Sequence, residues 1–503
     1  MTHSTEGPQG SLRLRRIGFP VLTPALATLV VYLPNSLRRS AWSDDFPFME
    51  GDAINKMYAD GRPILAMLFE MVFPNNIGDL AVLRAVGVVG IAALASLLTV
   101  LLMRWGASGR DAAIWSTSAI FLPTFHTYAN WATVFAVPWI SLIAVAAGAV
   151  WIEGAQSSGG FRRAAAIVAM TLAMLSYPPA AMFCWVPLGL RILLLRTRPT
   201  EALGAVMRLG LLVLGTGLTA LLIAPVARNI RGVPIDARVQ TLTSFQEVIG
   251  KLIWFVSHPV VVAARPFNIE SPEPLAALAT AGPLLTLTGI GLLCSFRGPV
   301  LSRFATLSTV ALCCALTMAP HLLVPDNQIE YRYMGGLTVL VWGCICVAIH
   351  RLVELGSVRL TPRLHKSAEA LKRHLLPIAA FVLLLPLTAS LAIANVRQTF
   401  IEPSVSKERF LLDALAGFDP SIHSQILIIN HQELWKSRSD LGIYSTTSDL
   451  AHGWVAEQNI RMLLVETRPQ QSVPVLMVVR DEVKPGAGDY VVDLRQYARS
   501  FNP

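Results

Sequence analysis

Two adjacent carboxylates, Asp44 and Asp45, stand directly after the first long apolar run of the chain. Neighbouring carboxylates repel, and each makes ionising the other harder unless a cation or hydrogen-bond donors compensate. Such a pair beside a membrane suits a general base or a cation-binding group. The plain alternative is a solvated loop start or a helix cap. Trp42, Phe46 and Phe48 flank the pair and would hold it against the membrane–water boundary, where amphipathic rings collect. Glu50 and Asp52 are reserve acids in the same segment.

A second group of residues suits an anion. Arg62, Arg228, Arg231 and Arg332 fall at ends of apolar runs on the same side as the acidic pair. Arginine binds phosphate bidentately, and lipid phosphates lie at that depth. Each of these arginines could equally snorkel to headgroups, and Arg332 could close an internal ion pair with Glu330. His258 and His321 lie near the same boundary and read as packed or interfacial histidines.

The elements that must position these residues are transmembrane helices. Hydrophobic residues make up 53% of the 503-residue chain and charged residues only 15%, far below the charge that a solvated surface needs. Runs near 17–34, 80–103, 112–127, 131–151, 164–178, 180–195, 204–224, 275–296, 304–324, 334–353 and 375–395 predict about eleven spans. Pro178-Pro179 marks a tight turn between two of them. The apolar piece Leu252–Ala264 carries a His258-Pro259 break and predicts an interfacial helix.

Orientation follows from the basic loops. Arg13, Arg15 and Arg16, then Arg104 and Arg110, Arg162 and Arg163, Arg196 and Arg198, and Arg297 and Arg303 mark alternate connections, and 351–373 is the most basic stretch. The positive-inside bias puts these in the cytoplasm with the N-terminus, and the C-terminus outside. Arg38, Arg39, Arg228, Arg231 and Arg238 depart from that bias, so they call for a separate role such as phosphate binding.

Residues 1–395 therefore predict a membrane domain and 396–503 a small extracytoplasmic α/β domain, with strands at Gln425–Asn430, Val473–Val479 and Tyr490–Leu494. Helical patterns at Lys407–Gly417 and Val455–Val465 lie between them. The net charge of +9 comes with no basic stripe interleaved with aromatics, which sets nucleic acid aside as a partner. All six cysteines lie in apolar runs without CxxC spacing, so neither a disulfide framework nor a metal site is expected.

Asp44-Asp45-Phe46, with Gly61-Arg62-Pro63 later in the same segment, resembles the acidic first outer loop of GT-C class membrane glycosyltransferases, most closely the bacterial O-antigen glucosyltransferase type. Leu175-Ser176-Tyr177 and Tyr331-Arg332-Tyr333 are weaker matches. By architecture the resemblance spans roughly 17–395; by motif it covers only these stretches. It departs at Pro47-Phe48, where that family often has tyrosine and arginine. The resemblance implies a GT-C-like helical bundle in the bacterial inner membrane and an inverting transfer from a polyprenyl-phosphate-linked sugar to an extracytoplasmic glycan or glycolipid. Asp44 or Asp45 would be the base, and Arg62, Tyr177, Arg228, Arg231 and Arg332 would hold substrate. The resemblance implies no certain cofactor and leaves open a divalent cation held by the acids. A flippase or transporter of lipid-linked saccharides, or a polysaccharide polymerase, would share these substrates. A transporter would need ionisable residues in mid-membrane and repeat symmetry.

Overall fold

The computed structural model describes residues 9–42, 44–51, 53–153, 159–236, 242, 244–265, 274–296, 298–327, 329–360, 383–430, 450, 453–468, 474–479 and 485–501. These are mostly helical, and seven helices are long and apolar enough to cross a membrane.

The bundle begins with α1 (Gln9–Ser36), which returns through α5 (Leu80–Arg104) after the short helices α2 (Asp45–Met49), α3 (Ile54–Ala59) and α4 (Pro63–Val72). Next come α6 (Gly109–Ile120), α7 (Pro123–Asn130), α8 (Val137–Glu153), α9 (Gly160–Ser176), α10 (Pro178–Ala181), α11 (Trp185–Leu195) and α12 (Pro199–Arg231). The remainder of the bundle is α13 (Phe245–Ser257), α14 (Pro259–Ala263), α15 (Pro274–Ser295), α16 (Val300–Leu316), α17 (Ala319–Leu322), α18 (Gly335–Leu360) and α19 (Leu385–Val396).

Helix α12 shows how composition becomes placement. Pro199 opens it, where a missing N–H loses nothing, and Gly232 closes it in the left-handed region at φ 65°. Its Leu211, Leu214, Leu218, Leu221 and Leu222 are all exposed, which in water would be untenable and in lipid is the favourable arrangement.

Among the described residues, seven helices are long and apolar enough to cross, against about eleven expected spans. The run expected at 112–127 is a 12-residue helix, α6, broken at Phe121-Leu122 before α7. Twelve residues rise only about 18 Å, short of a hydrocarbon core. Every residue of α7 is buried in protein instead. The run at 304–324 likewise divides into α16 and the four-residue α17, because Pro320 interrupts it. Conversely, the piece Leu252–Ala264, expected to lie at the interface, falls almost wholly within Phe245–Ala263, which is long and apolar enough to count among the seven, although His258 breaks it into α13 and α14. Of the run at 375–395, residues 375–382 lie outside those described.

The C-terminal region is α/β as expected. Helix α20 (Glu402–Leu415), strand β1 (Gln425–Ile429), helix α21 (Gly453–Thr467), strands β2 (Val475–Val479) and β3 (Asp489–Asp493), and helix α22 (Leu494–Phe501) follow in order. The sheet runs β2-β1-β3 with both pairings parallel. The region's helices α20 and α21 pack on the bundle end that carries the acidic segment: Glu466 Oε1 accepts from the Ile77 N–H at 2.8 Å, and Arg39 pairs with Glu408 at 3.0 Å and with Glu466.

Candidate active site

The acidic segment is held by a buried arginine. Arg84, fully buried near the start of α5, donates through Nε to Ser36 O at 3.0 Å, through Nη1 to Ser40 O at 2.6 Å, and to Arg38 O. These carbonyls end α1 and begin the connection, where unpaired oxygens and the helix dipole favour a cation. Ser36 Oγ adds a bond to Ala129 O at 2.7 Å. The chain is thereby locked on its way into Asp44 and Asp45.

The two aspartates then part company. Asp45 is 0% exposed, and its two oxygens accept from the Trp42 N–H and the Thr133 N–H, each at 2.9 Å. Burial pushes its pKa up to about 7, against the pull of those N–H groups and of Arg84. Asp45 therefore staples α2 to the turn before α8. Asp44 keeps 31% of its side chain exposed and faces a cavity of about 410 Å³, a size usual for small-molecule sites.

That cavity lies where several helix ends meet. Its walls include Pro47, Phe48 and Lys56 from the acidic segment, Arg62 before α4, Pro178 and Pro179 at the start of α10, and Pro320, His321, Asp326, Arg332 and Tyr333 between α16 and α18. Arg332 Nη1 donates to Asp44 Oδ2 at 2.9 Å, and its Nε pairs with Glu330. Its guanidinium also lies 4.7 Å from the Trp131 ring centroid and 4.8 Å from that of Tyr333. Burial opposes the Arg332 charge, but Glu330, Tyr333 and Asp44 together hold its pKa above the ordinary range.

Gly61-Arg62-Pro63 has a local reason. Gly61 turns the chain at φ 75°, open to glycine but strained for other residues, and Pro63 starts α4. Arg62 is thus aimed from a rigid corner. Its nearest carboxylate contact is Asp60 Oδ2 at 3.7 Å, beyond hydrogen-bond length, and its guanidinium lies 4.9 Å from the Tyr177 ring centroid. The contact with Asp60 is thus an ion pair without a hydrogen bond. Tyr177 stacks on Tyr333 at 6.4 Å and supports Arg62 from behind. Burial raises the Tyr177 pKa to about 12 although Arg332 and Arg62 pull it down, so the ring stays a neutral phenol.

The expected residues thus divide. Asp44, Arg62 and Arg332 line one cavity, with Tyr177 beneath Arg62. Arg231 is elsewhere, bonded to Glu70 at 2.8 Å and Tyr58 at 3.1 Å, and Arg228 is not on the cavity wall. Those two do not join the site because they ride the last turn of α12, outside it. Glu50, a reserve acid, is engaged by Arg461 at 3.5 Å and Gln458 at 3.2 Å of the C-terminal region. Asp52 and Arg238 lie outside the described residues. His258 is exposed, bonds its own neighbour Ser257 at 2.8 Å and is not on the cavity wall.

Lys56, Asp60, Asp326 and His321 were not legible as site residues. His321 lies in the cavity wall with its ring 4.5 Å from Tyr333. Burial, then the nearby charges of Arg62, Lys251 and Arg332, lowers its pKa to about 3, so the imidazole is neutral. Pro320 beside it was the usable signal, since a proline at that position ends a helix and exposes a turn. Among the described residues no group of acids, histidines and cysteines is arranged to hold a metal ion. No protein-family model matches the chain, and no curated protein matches it.

Proposed function

We propose that this protein is an inverting membrane glycosyltransferase of GT-C type, moving a sugar from a polyprenyl-phosphate donor to an extracytoplasmic glycan or glycolipid. We further propose the bacterial inner membrane as its location. The observation that carries the proposal is one cavity at the helix ends whose wall holds both a part-exposed carboxylate, Asp44, and the guanidinium of Arg62, which is ion-paired with Asp60 at 3.7 Å without a hydrogen bond.

In this chemistry the acceptor hydroxyl gives its proton to Asp44 as its oxygen bonds the anomeric carbon. The bond from that carbon to the phosphate oxygen breaks on the opposite face, and polyprenyl phosphate leaves. A positioned carboxylate supplies the base, and fixed cations stabilise the charge growing on the leaving group. Arg62 and Lys56 are placed for that anion, while Arg332 orients Asp44. Arg84, the buried cation that a transport mechanism would draw on, has its donors engaged by backbone carbonyls. That favours an enzyme over a flippase.

The deciding experiment incubates purified protein with polyprenyl-phosphate sugars and a glycan acceptor extract and follows release of polyprenyl phosphate. Translocation of the intact donor without release would refute the proposal.

A further inference from the structure

The C-terminal region grips both ends of the segment that carries Asp44. Lys407 of α20 is only 5% exposed, an unusual state for an ammonium group. Its Nζ donates to Ala41 O at 3.2 Å and lies 5.4 Å from the Trp42 ring centroid and 5.2 Å from that of Phe46. Trp42 is wedged edge-on against Phe400 at 5.5 Å. At the far end Glu50, the C-cap of α2, takes the contacts from Arg461 and Gln458 of α21.

Between these grips runs the turn in which the Trp42 N–H bonds Asp45 and Asp44 faces the cavity. A buried lysine is a poor choice for packing alone, since its desolvation has to be offset by partners such as the Ala41 carbonyl and the ring faces. A methionine of similar length would fill the space without that penalty. The ammonium instead fixes where the Ala41 carbonyl and the Trp42 ring sit, and so the direction in which the turn presents Asp44.

Resting on the transfer chemistry above, we propose that Lys407 is a positioning residue through which the C-terminal domain sets the aim of Asp44. The domain is then a working part of the transferase rather than an appendage. An acceptor or partner that shifts α20 would alter catalysis without touching the cavity.

The test uses the full-length protein with Lys407→Met and Lys407→Arg. Lys407→Met should lower kcat for transfer by roughly 10–100-fold, the scale of a misplaced catalytic group, with KM for the polyprenyl-phosphate sugar unchanged. Lys407→Arg keeps a donor and a cation over the rings and should restore most of the rate. Amide hydrogen exchange, measured without substrate, should rise in residues 40–50 of Lys407→Met and stay unchanged in α5 and α8. Faster exchange throughout the bundle would make Lys407 merely structural and overturn the proposal, as would unchanged kcat with unchanged exchange. If the wild-type protein transfers no sugar, the transfer chemistry fails by itself, and the exchange measurement still decides whether Lys407 holds the turn.

Discussion

Replacing Asp44 with asparagine tests the base with the least disturbance. Asparagine has the same shape, and its carbonyl oxygen can still accept from Arg332 Nη1, which bonds Asp44 at 2.9 Å. Arg332 is not orphaned, because Glu330 remains paired with its Nε. The Asp44–Arg332 pair is partly open to solvent, with side-chain exposures of 31% and 18%, so losing its ionic part should cost about 1 kcal/mol or less of stability. Catalysis is another matter, since the amide cannot take a proton from the acceptor. A positioned general base contributes about 10²–10⁴-fold, equivalent to roughly 3–5 kcal/mol of barrier. The assay is polyprenyl phosphate release under saturating donor, with the melting temperature and monodispersity followed in the same samples. Asp45→Asn is the companion variant: it alters a buried carboxyl that staples the segment and is absent from the cavity wall, so its loss of transfer should be the smaller. Near wild-type release from a folded Asp44→Asn protein would refute the mechanism. A larger loss in Asp45→Asn would assign the base to the wrong aspartate.

Burial raises the Asp45 pKa to about 7, whereas an unfolded chain ionises it near about 4. Between those values the unfolded state releases a proton that the folded state keeps, so stability should fall as pH rises from about 4 to about 7 and level off above. Asp45→Asn should flatten that slope in melting-temperature scans, and an unchanged slope would put the titration elsewhere. Arg62→Ala should weaken binding of polyprenyl phosphate by roughly 10–100-fold through loss of a charged hydrogen bond, read by calorimetry in detergent, with little change in kcat. Arg84→Met should strand the carbonyls of Ser36, Arg38 and Ser40. Each buried unpaired group costs about 1–3 kcal/mol, so the variant should melt far below wild type or fail to accumulate. Reporters fused after Arg163 and Arg363 should face the cytoplasm and one at Pro503 the outside; a cytoplasmic Pro503 would contradict the orientation.

The sequence by itself determined what chemical potential and periodicity can encode. Apolar runs of about twenty residues with little charge call for helices in lipid, because a helix satisfies its own backbone within the segment, whereas barrel strands are about half that length. The strands at Gln425–Ile429, Val475–Val479 and Asp489–Asp493 were legible because short β-branched runs alternate with helical patterns. Asp44, Arg62 and Arg332 were singled out by residue type and their place beside helix ends, and they do meet in one cavity. Averaged hydropathy did not reveal that 112–127 is two pieces, because the break at Phe121-Leu122 is itself apolar and the polar His126, Thr127 and Asn130 of α7 are buried in protein rather than exposed.

Only the tertiary structure decided which aspartate faces the cavity. Asp44 and Asp45 are adjacent in the chain, and the difference between them is made by the Thr133 N–H, which lies 88 residues away in sequence. Arg228 and Arg231 look like Arg62 in sequence, yet the last turn of α12 keeps them off the cavity wall. Asp326 and Lys407 carry no local mark, since their positions depend on where distant helix ends and the C-terminal domain come together. Residue type limits what a side chain can do; long-range packing assigns which neighbour it does it to.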